Sequence, residues 1–317
     1  MKTSKLLILT TLFSSLLIGC NKNENDDKYD YVLLAQPVVA AVLGQNSNFK
    51  VSANVQNDYK TKTNNLEITQ ASVFVKNSAD IDKVSGFLSL LSSEINTLLD
   101  DPENVLNNAT KDLEPQFVSG KIGGTVAVVS NLLKNNNQLG LGYKDAKTNK
   151  DSIDNFISTL GLPASKEGDY FTPTEPVETY SNIDIKVACP AGAPATSLYN
   201  HLNETENIEI AAADTVLAYL SNNSNKDVVI APTNAGLAAI NRGAEFKIAA
   251  TITFGNFFIV STGHDKNGTM DKGDKVLAFQ ENGVAGKMFN YIYGDRELNI
   301  TYVADVNEAK SIILTQK

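Results

Sequence analysis

Val228-Val229-Ile230-Ala231-Pro232-Thr233-Asn234-Ala235-Gly236-Leu237-Ala238-Ala239-Ile240-Asn241-Arg242-Gly243 changes its period half-way along. Val228 to Ala231 is continuously apolar. A strand with one wet face alternates, so this one reads as buried on both faces, as in a parallel sheet. Ala235 to Arg242 reads as a helix stopped by Gly243. The same alternation extends outward on both sides. Upstream lie strand Ile183–Ala188, helix Ala193–Leu202 with Pro194 near its first turn, strand Ile208–Ala211 and helix Thr215–Leu220. Downstream come strands Phe246–Thr251 and Phe257–Ser261, then strand Lys275–Phe279, helix Val284–Tyr293, strand Ile300–Val303 and helix Asp305–Lys317. Strict β-α alternation with short loops predicts a doubly wound α/β unit.

The first half reads differently. Tyr31-Val32-Leu33-Leu34-Ala35 is a second continuously apolar run, ended by Gln36-Pro37. A short helix, Val38–Leu43, closes at Gly44, and strands follow at Phe49–Val55 and Ala71–Val75. From Ala79 to Leu113 the period is helical, with Val84, Phe87, Leu88, Leu91, Ile95, Leu98 and Leu99 on one face. Asp101-Pro102-Glu103 predicts a second helix start, Asp as cap and Pro in the first turn. Gly123–Leu133 and Ser152–Leu160 are further helices. Gly161–Asn182, with Pro163, Pro173 and Pro176, reads as a linker. The alternation runs out on a helix at the end of the chain and begins on a bare buried strand at Tyr31. Placing residue 31 after residue 317 restores β-α-β without a gap, so Tyr31–Ala35 is expected as the next parallel strand.

Composition narrows the partners. The 317 residues suit one large domain or two lobes, and 42% hydrophobic content suffices for a core. A net charge of −9 argues against nucleic acid, whose binding rests on Lys and Arg at phosphates. Lys2 and Lys5, an apolar run from Leu6 to Ile18, and Leu17-Ile18-Gly19-Cys20 resemble a bacterial lipoprotein signal. That resemblance implies cleavage before Cys20, which then carries fatty acyl chains, palmitate among them. Two or three such chains hold a protein at a membrane where one does not. Cys189 is then the only remaining thiol and no internal disulfide can form.

Several motifs carry a further resemblance. Cys189-Pro190-Ala191-Gly192-Ala193-Pro194-Ala195, Ile230-Ala231-Pro232-Thr233-Asn234 and Thr253-Phe254-Gly255-Asn256 resemble type 2 periplasmic solute-binding proteins of ABC importers, in the nitrate/sulfonate/taurine and thiamine-precursor branch. Lys272-Gly273-Asp274-Lys275-Val276-Leu277-Ala278-Phe279 resembles that family's passage into the second lobe. Leu33-Leu34-Ala35-Gln36-Pro37-Val38 resembles a segment that normally follows the helix ending this chain, with Gln36 where an acid is usual. The implied fold is two-lobed α/β, doubly wound sheets with a hinge cleft, circularly permuted. Its parts are a signal peptide (1–19), a tether (20–30), the ancestral C-terminal half (31–162), a linker (163–182), the first-lobe α/β core (183–256), and a hinge strand with the start of the second lobe (257–317).

In open α/β sheets ligands bind beyond the carboxyl ends of the strands. The expected contacts are therefore Gly192, Ala193, Thr196, Thr233, Asn234, Asn256, Asn282 and Gln36, with Thr69-Gln70 completing the cleft. These are small residues, hydroxyls and neutral amides beside helix starts, suited to a small polar solute that is anionic or heterocyclic. No catalytic residue, metal or cofactor is expected. His201 and His264 have no metal spacing, Ser130 and Ser152 have no partner in the sequence, and Cys189 reads as a buried inert thiol. Asp265–Asp271 lacks the terminal bidentate Glu of a calcium loop. The expectation is a lipid-anchored, extracytoplasmic solute carrier serving an ABC permease and ATPase. The reading from another class is a surface lipoprotein that keeps the fold as an interaction or structural module.

Overall fold

The structure, a computed structural model, describes residues 28–174, 183–263 and 269–316. The signal peptide, Cys20, most of the tether, the second part of the linker, His264 and most of the Asp265–Asp271 loop lie outside the described residues. No helix among the described residues is long and apolar enough to cross a membrane.

In chain order the elements are β1 (Tyr31–Ala35), α1 (Val38–Gln45), β2 (Lys50–Asn54), α2 (Val55–Lys62) and β3 (Thr69–Lys76). A helical group follows: α3 (Ile81–Asp100), α4 (Pro102–Thr110), α5 (Pro115–Ile122) and α6 (Val126–Lys134), then β4 (Leu141–Asp145) and α7 (Lys150–Thr159). The alternating part comprises β5 (Val187–Pro190), α8 (Ala193–Thr196), β6 (Ile208–Ala211), α9 (Ala213–Leu217), β7 (Val228–Pro232), α10 (Thr233–Asn241) and β8 (Phe246–Phe254). It continues with β9 (Phe257–Ser261), β10 (Lys275–Phe279), α11 (Val284–Tyr293), β11 (Asn299–Val303) and α12 (Val306–Thr315).

The described strands form two sheets flanked by helices. One has the order β11-β10-β1-β9-β2, the other β4-β8-β3-β7-β5-β6. Continuous apolar strands occupy interior positions because each feeds two cores. In β1, Tyr31 and Leu33 enter one apolar cluster and Val32 and Leu34 another, all with no exposed surface. In β7, Val229 and Ala231 face the cluster that β1 also joins, while Val228 and Ile230 face the layer under α3 to α6. One core therefore runs through both sheets, and each sheet has a second core on its other face.

The sheets are mixed rather than parallel throughout. β1, β10 and β11 are parallel, as are β5, β6 and β7. β9 lies between β1 and β2, antiparallel to both, and β3 lies between β7 and β8, antiparallel to both. Direct crossing explains this. β8 ends where the two sheets meet, so a chain leaving it through Gly255-Asn256 enters the other sheet at the carboxyl end of its parallel strands and must run against them. The chain returning from β2 through α2 to β3 obeys the same constraint.

Other local differences have local causes. α2 was not expected, because only Val55, Gln56 and Tyr59 are buried on it and its start depends on the Asn54 cap. α5 and β4 carry too few apolar residues to announce themselves. The predicted helix Ala193–Leu202 shrinks to α8 plus a 3-10 turn at Tyr199–His201. The stretch read as linker is docked at its start: Tyr170 and Phe171 are buried, and Phe171 N–H donates to Ile248 O at 2.9 Å.

Candidate ligand cavity between the sheets

Residues at the carboxyl ends of β1, β5, β7 and β8 enclose a cavity of about 380 Å³. Pro37, Ile122, Val129, Leu139, Pro190 and Phe257 supply much of its apolar wall. Gln36, Gln70, Asn234, Thr253 and Asn256 supply polar side chains, and among the described residues no charged side chain lines it.

Four helix starts open on this space: Ala193 of α8, Ala213 of α9, Asn234 of α10 and Val284 of α11 all line it. None of these helices has a side chain capping its first N–H groups. Elsewhere α2, α3, α4, α6 and α12 are capped by Asn54, Asp80, Asp101, Thr125 and Asp305, whereas α5 and α7 have no side-chain cap either. The first turn of a helix presents N–H groups without intrahelical partners and a partial positive charge. α8 and α9 are single turns, and at α11 Gly286 N–H donates to Gln280 O at 3.2 Å, so of the four it is the start of α10 that adds first-turn donors beside the uncharged lining, which favour an acceptor or an anion. β7 passes into α10 with no loop between them, which sets Asn234 at the junction. Asn234 Oδ1 is buried and has no hydrogen-bond partner.

The expected contacts divide into two groups. Gly192, Ala193, Asn234, Asn256 and Gln36 come together in the lining, with Gln70. Thr196, Thr233 and Asn282 do not line the cavity. Thr196 is wholly buried and its hydroxyl donates to Gly192 O at 3.3 Å. Thr233 is also wholly buried, and its hydroxyl pairs with Ser72 Oγ at 2.8 Å. Asn282 is exposed on the turn before α11, and Val284 reaches the wall instead. Gly192 contributes wall but not its N–H, which donates to Lys121 O at 2.8 Å. Its φ of 105° and the approach of Gly123, where a Cβ would lie 3.0 Å from Gly192 Cα, fit α5 against this turn.

Reading the sequence missed the wall contributed by α5, α6 and the turn after α6: Ile122, Gly123, Val129 and Leu139. Its one signal is the Gly123-Gly124-Thr125 break, where α5 ends on a left-handed glycine and Thr125 caps α6. Thr253 and Ala213 were missed as well.

The other reactive side chains lie in different surroundings. Cys189 is fully buried, and burial pushes its thiol well up. His201 is buried between Glu204, 2.7 Å from Nδ1, and Glu94, 3.1 Å from Nε2. Among the described residues no group of three or more His, Cys, Asp or Glu is placed to hold a metal ion. Compared with known protein families, curated proteins and solved structures, the chain has no match.

Proposed function

We propose that this protein is a solute carrier whose cavity holds one small molecule with an apolar body and an acceptor or anionic end. The observation that carries the reading is an uncharged, largely apolar cavity at the carboxyl ends of strands from both sheets, with the start of α10 opening on it. Asn234, which lines the cavity, adds a side-chain amide to the same wall. A concave, largely apolar pocket with a few convergent polar groups is the usual form of a small-molecule site.

The proposal extends to the fold family and to location. The two crossings between the sheets support a two-lobed binding protein of the type 2 periplasmic kind, which takes up its ligand by hinge motion. The neighbouring positions of Tyr29 and Gln316 support the permuted order. Tyr29 N–H donates to Gln316 Oε1 at 3.0 Å, and Gln316 Nε2 donates to Tyr29 O at 3.2 Å. The strand sequence β11-β10-β1, all parallel, supports it further. Leu17–Cys20 supports a lipid anchor on the extracytoplasmic face of the cell membrane, with an ABC permease and ATPase as recipients. The role is carriage rather than catalysis.

Mass spectrometry of small molecules released from the purified protein tests this reading. A single small polar species at up to one per chain is expected, reduced in Asn234→Ala. Release of no such species, with no small molecule taken up from an added metabolite extract, would contradict it.

A further inference from the structure

We propose that the side-chain amides of Gln36, Gln70, Gln138 and Asn256 form a brace around the Phe254–Asn256 crossing that sets the angle between the two halves. The proposal rests on reading the cavity as a ligand cleft. Asn256 is the centre of the brace: its carbonyl accepts from Gln36 N–H at 3.1 Å and its Oδ1 accepts from Gln70 Nε2 at 2.8 Å. Gln36 Nε2 then donates to Gln138 Oε1 at 2.8 Å. Gln36 directly follows β1 of the five-stranded sheet, whereas Gln138 lies in the turn leading to β4 of the six-stranded one, so this bond joins the halves.

Both ends of that bond are held from behind. Gln36 is 6% exposed, and its Oε1 accepts from Ala40 N–H in α1 at 3.2 Å, which leaves Nε2 as the outward donor. Gln138 N–H donates to Leu132 O at 2.8 Å. Asn137 clamps the same turn through both its amide atoms, donating to Leu141 O at 2.5 Å and accepting from Leu141 N–H at 3.1 Å. Gly140 fixes it to the crossing: Phe254 N–H donates to Gly140 O at 2.7 Å. At Gly140 φ is 66° and a Cβ would sit 2.4 Å from Phe254 O, so only glycine fits. A chance pair of surface glutamines must lose rotamer freedom to meet. Here the Gln36 side chain is already buried and bound to α1, and the backbone that carries Gln138 is already fixed.

Gln36, Gln70 and Asn256 also line the cavity. A bound molecule that touches them therefore acts directly on the groups that hold the crossing. Gln138 is a positioning residue that does not line the cavity, so its substitution separates the brace from ligand contact.

The test needs no ligand. Nitroxide labels at exposed positions on either side of the cavity, through Asn282→Cys and Ala127→Cys, report the distance between the halves by electron double resonance. Gln138→Ala is expected to raise the population beyond the wild-type distances about fivefold, the worth of one neutral hydrogen bond. Gln138→Glu, whose carboxylate still accepts from Gln36 Nε2, is expected to restore the wild-type distribution. An unchanged distribution in Gln138→Ala, or a loss of thermal stability with no change in distance, overturns the brace. Either result leaves the carrier reading to its own test, because no ligand enters this one.

Discussion

Asn234 shows what one residue discloses about the site. A buried acceptor without a partner costs about 1–3 kcal/mol. Asn234→Ala removes that cost, so denaturant melts are expected to show stability unchanged or raised by about 1 kcal/mol. A loss above about 2 kcal/mol would make Asn234 a structural residue instead. Its position was legible because Pro232-Thr233-Asn234 follows a buried strand. Thr233 belongs to the same motif yet turns into the sheet, where Ser72, 161 positions away, takes its hydroxyl. Nothing in the local sequence distinguishes the two.

His201 gives a second prediction at this scale. Burial pushes its imidazole down, but hydrogen bonds to Glu94 and Glu204 and the charge of both carboxylates outweigh that, and the net direction is up. A folded pKa above the unfolded 6.5 means stabilisation that is fully present below that value and lost as pH rises through the folded pKa. Urea melts across that range should show the wild type losing stability as pH rises. His201→Gln should flatten this component, and an equally steep profile in the variant would contradict the assignment.

At the scale of elements, caps and burial periods decided what could be read. α3 and α4 were legible because their apolar faces recur at helical spacing and Asp101-Pro102 marks the junction between them. α12 was legible for the same reasons. Asp305 Oδ1 accepts from Asn307 N–H at 2.8 Å and Glu308 N–H at 3.0 Å, and Ala309 and Ile313 pack into the apolar cluster that Val32 and Leu34 share. Asp305→Ala is expected to cost about 1 kcal/mol in denaturant melts. No loss would mean that packing alone holds the helix. The direction of β3 and β9 was not legible, because an apolar run fixes burial but not which way the strand runs. That direction follows from where the chain crosses between sheets.

Across the whole molecule, two apolar runs more than two hundred positions apart, in β1 and β10, become parallel neighbours. The alternation in the sequence predicts Tyr31–Ala35 as a parallel strand without naming its neighbour; that neighbour is β10, with β11 on the far side of β10. The proposed permutation predicts that the order can be reversed. A chain joined by a short linker from Gln316 to Tyr29 and opened between residues 174 and 183 is expected to fold with stability within about 2 kcal/mol of the original, because loop closure depends weakly on length. Failure to fold, with the same linker tolerated in the unopened order, would contradict it. The cavity wall from α5 and α6 lay beyond sequence reading, because α5 reaches the site through packing on α8 and the turn at Gly192, and α6 through packing on α4 and α5.

The proposed cavity ligand would bind beside the start of α10 and Asn234. The most direct test is thermal unfolding across a panel of small carboxylates, sulfonates and phosphates together with their uncharged analogues. Binding raises stability by RT ln(1 + [L]/Kd), about 2.7 kcal/mol at a hundredfold excess over Kd. A saturable rise in melting temperature is expected for at least one acid, larger than for its uncharged analogue and reduced in Asn234→Ala. No shift with any acid, or equal shifts in the wild type and Asn234→Ala, would contradict it.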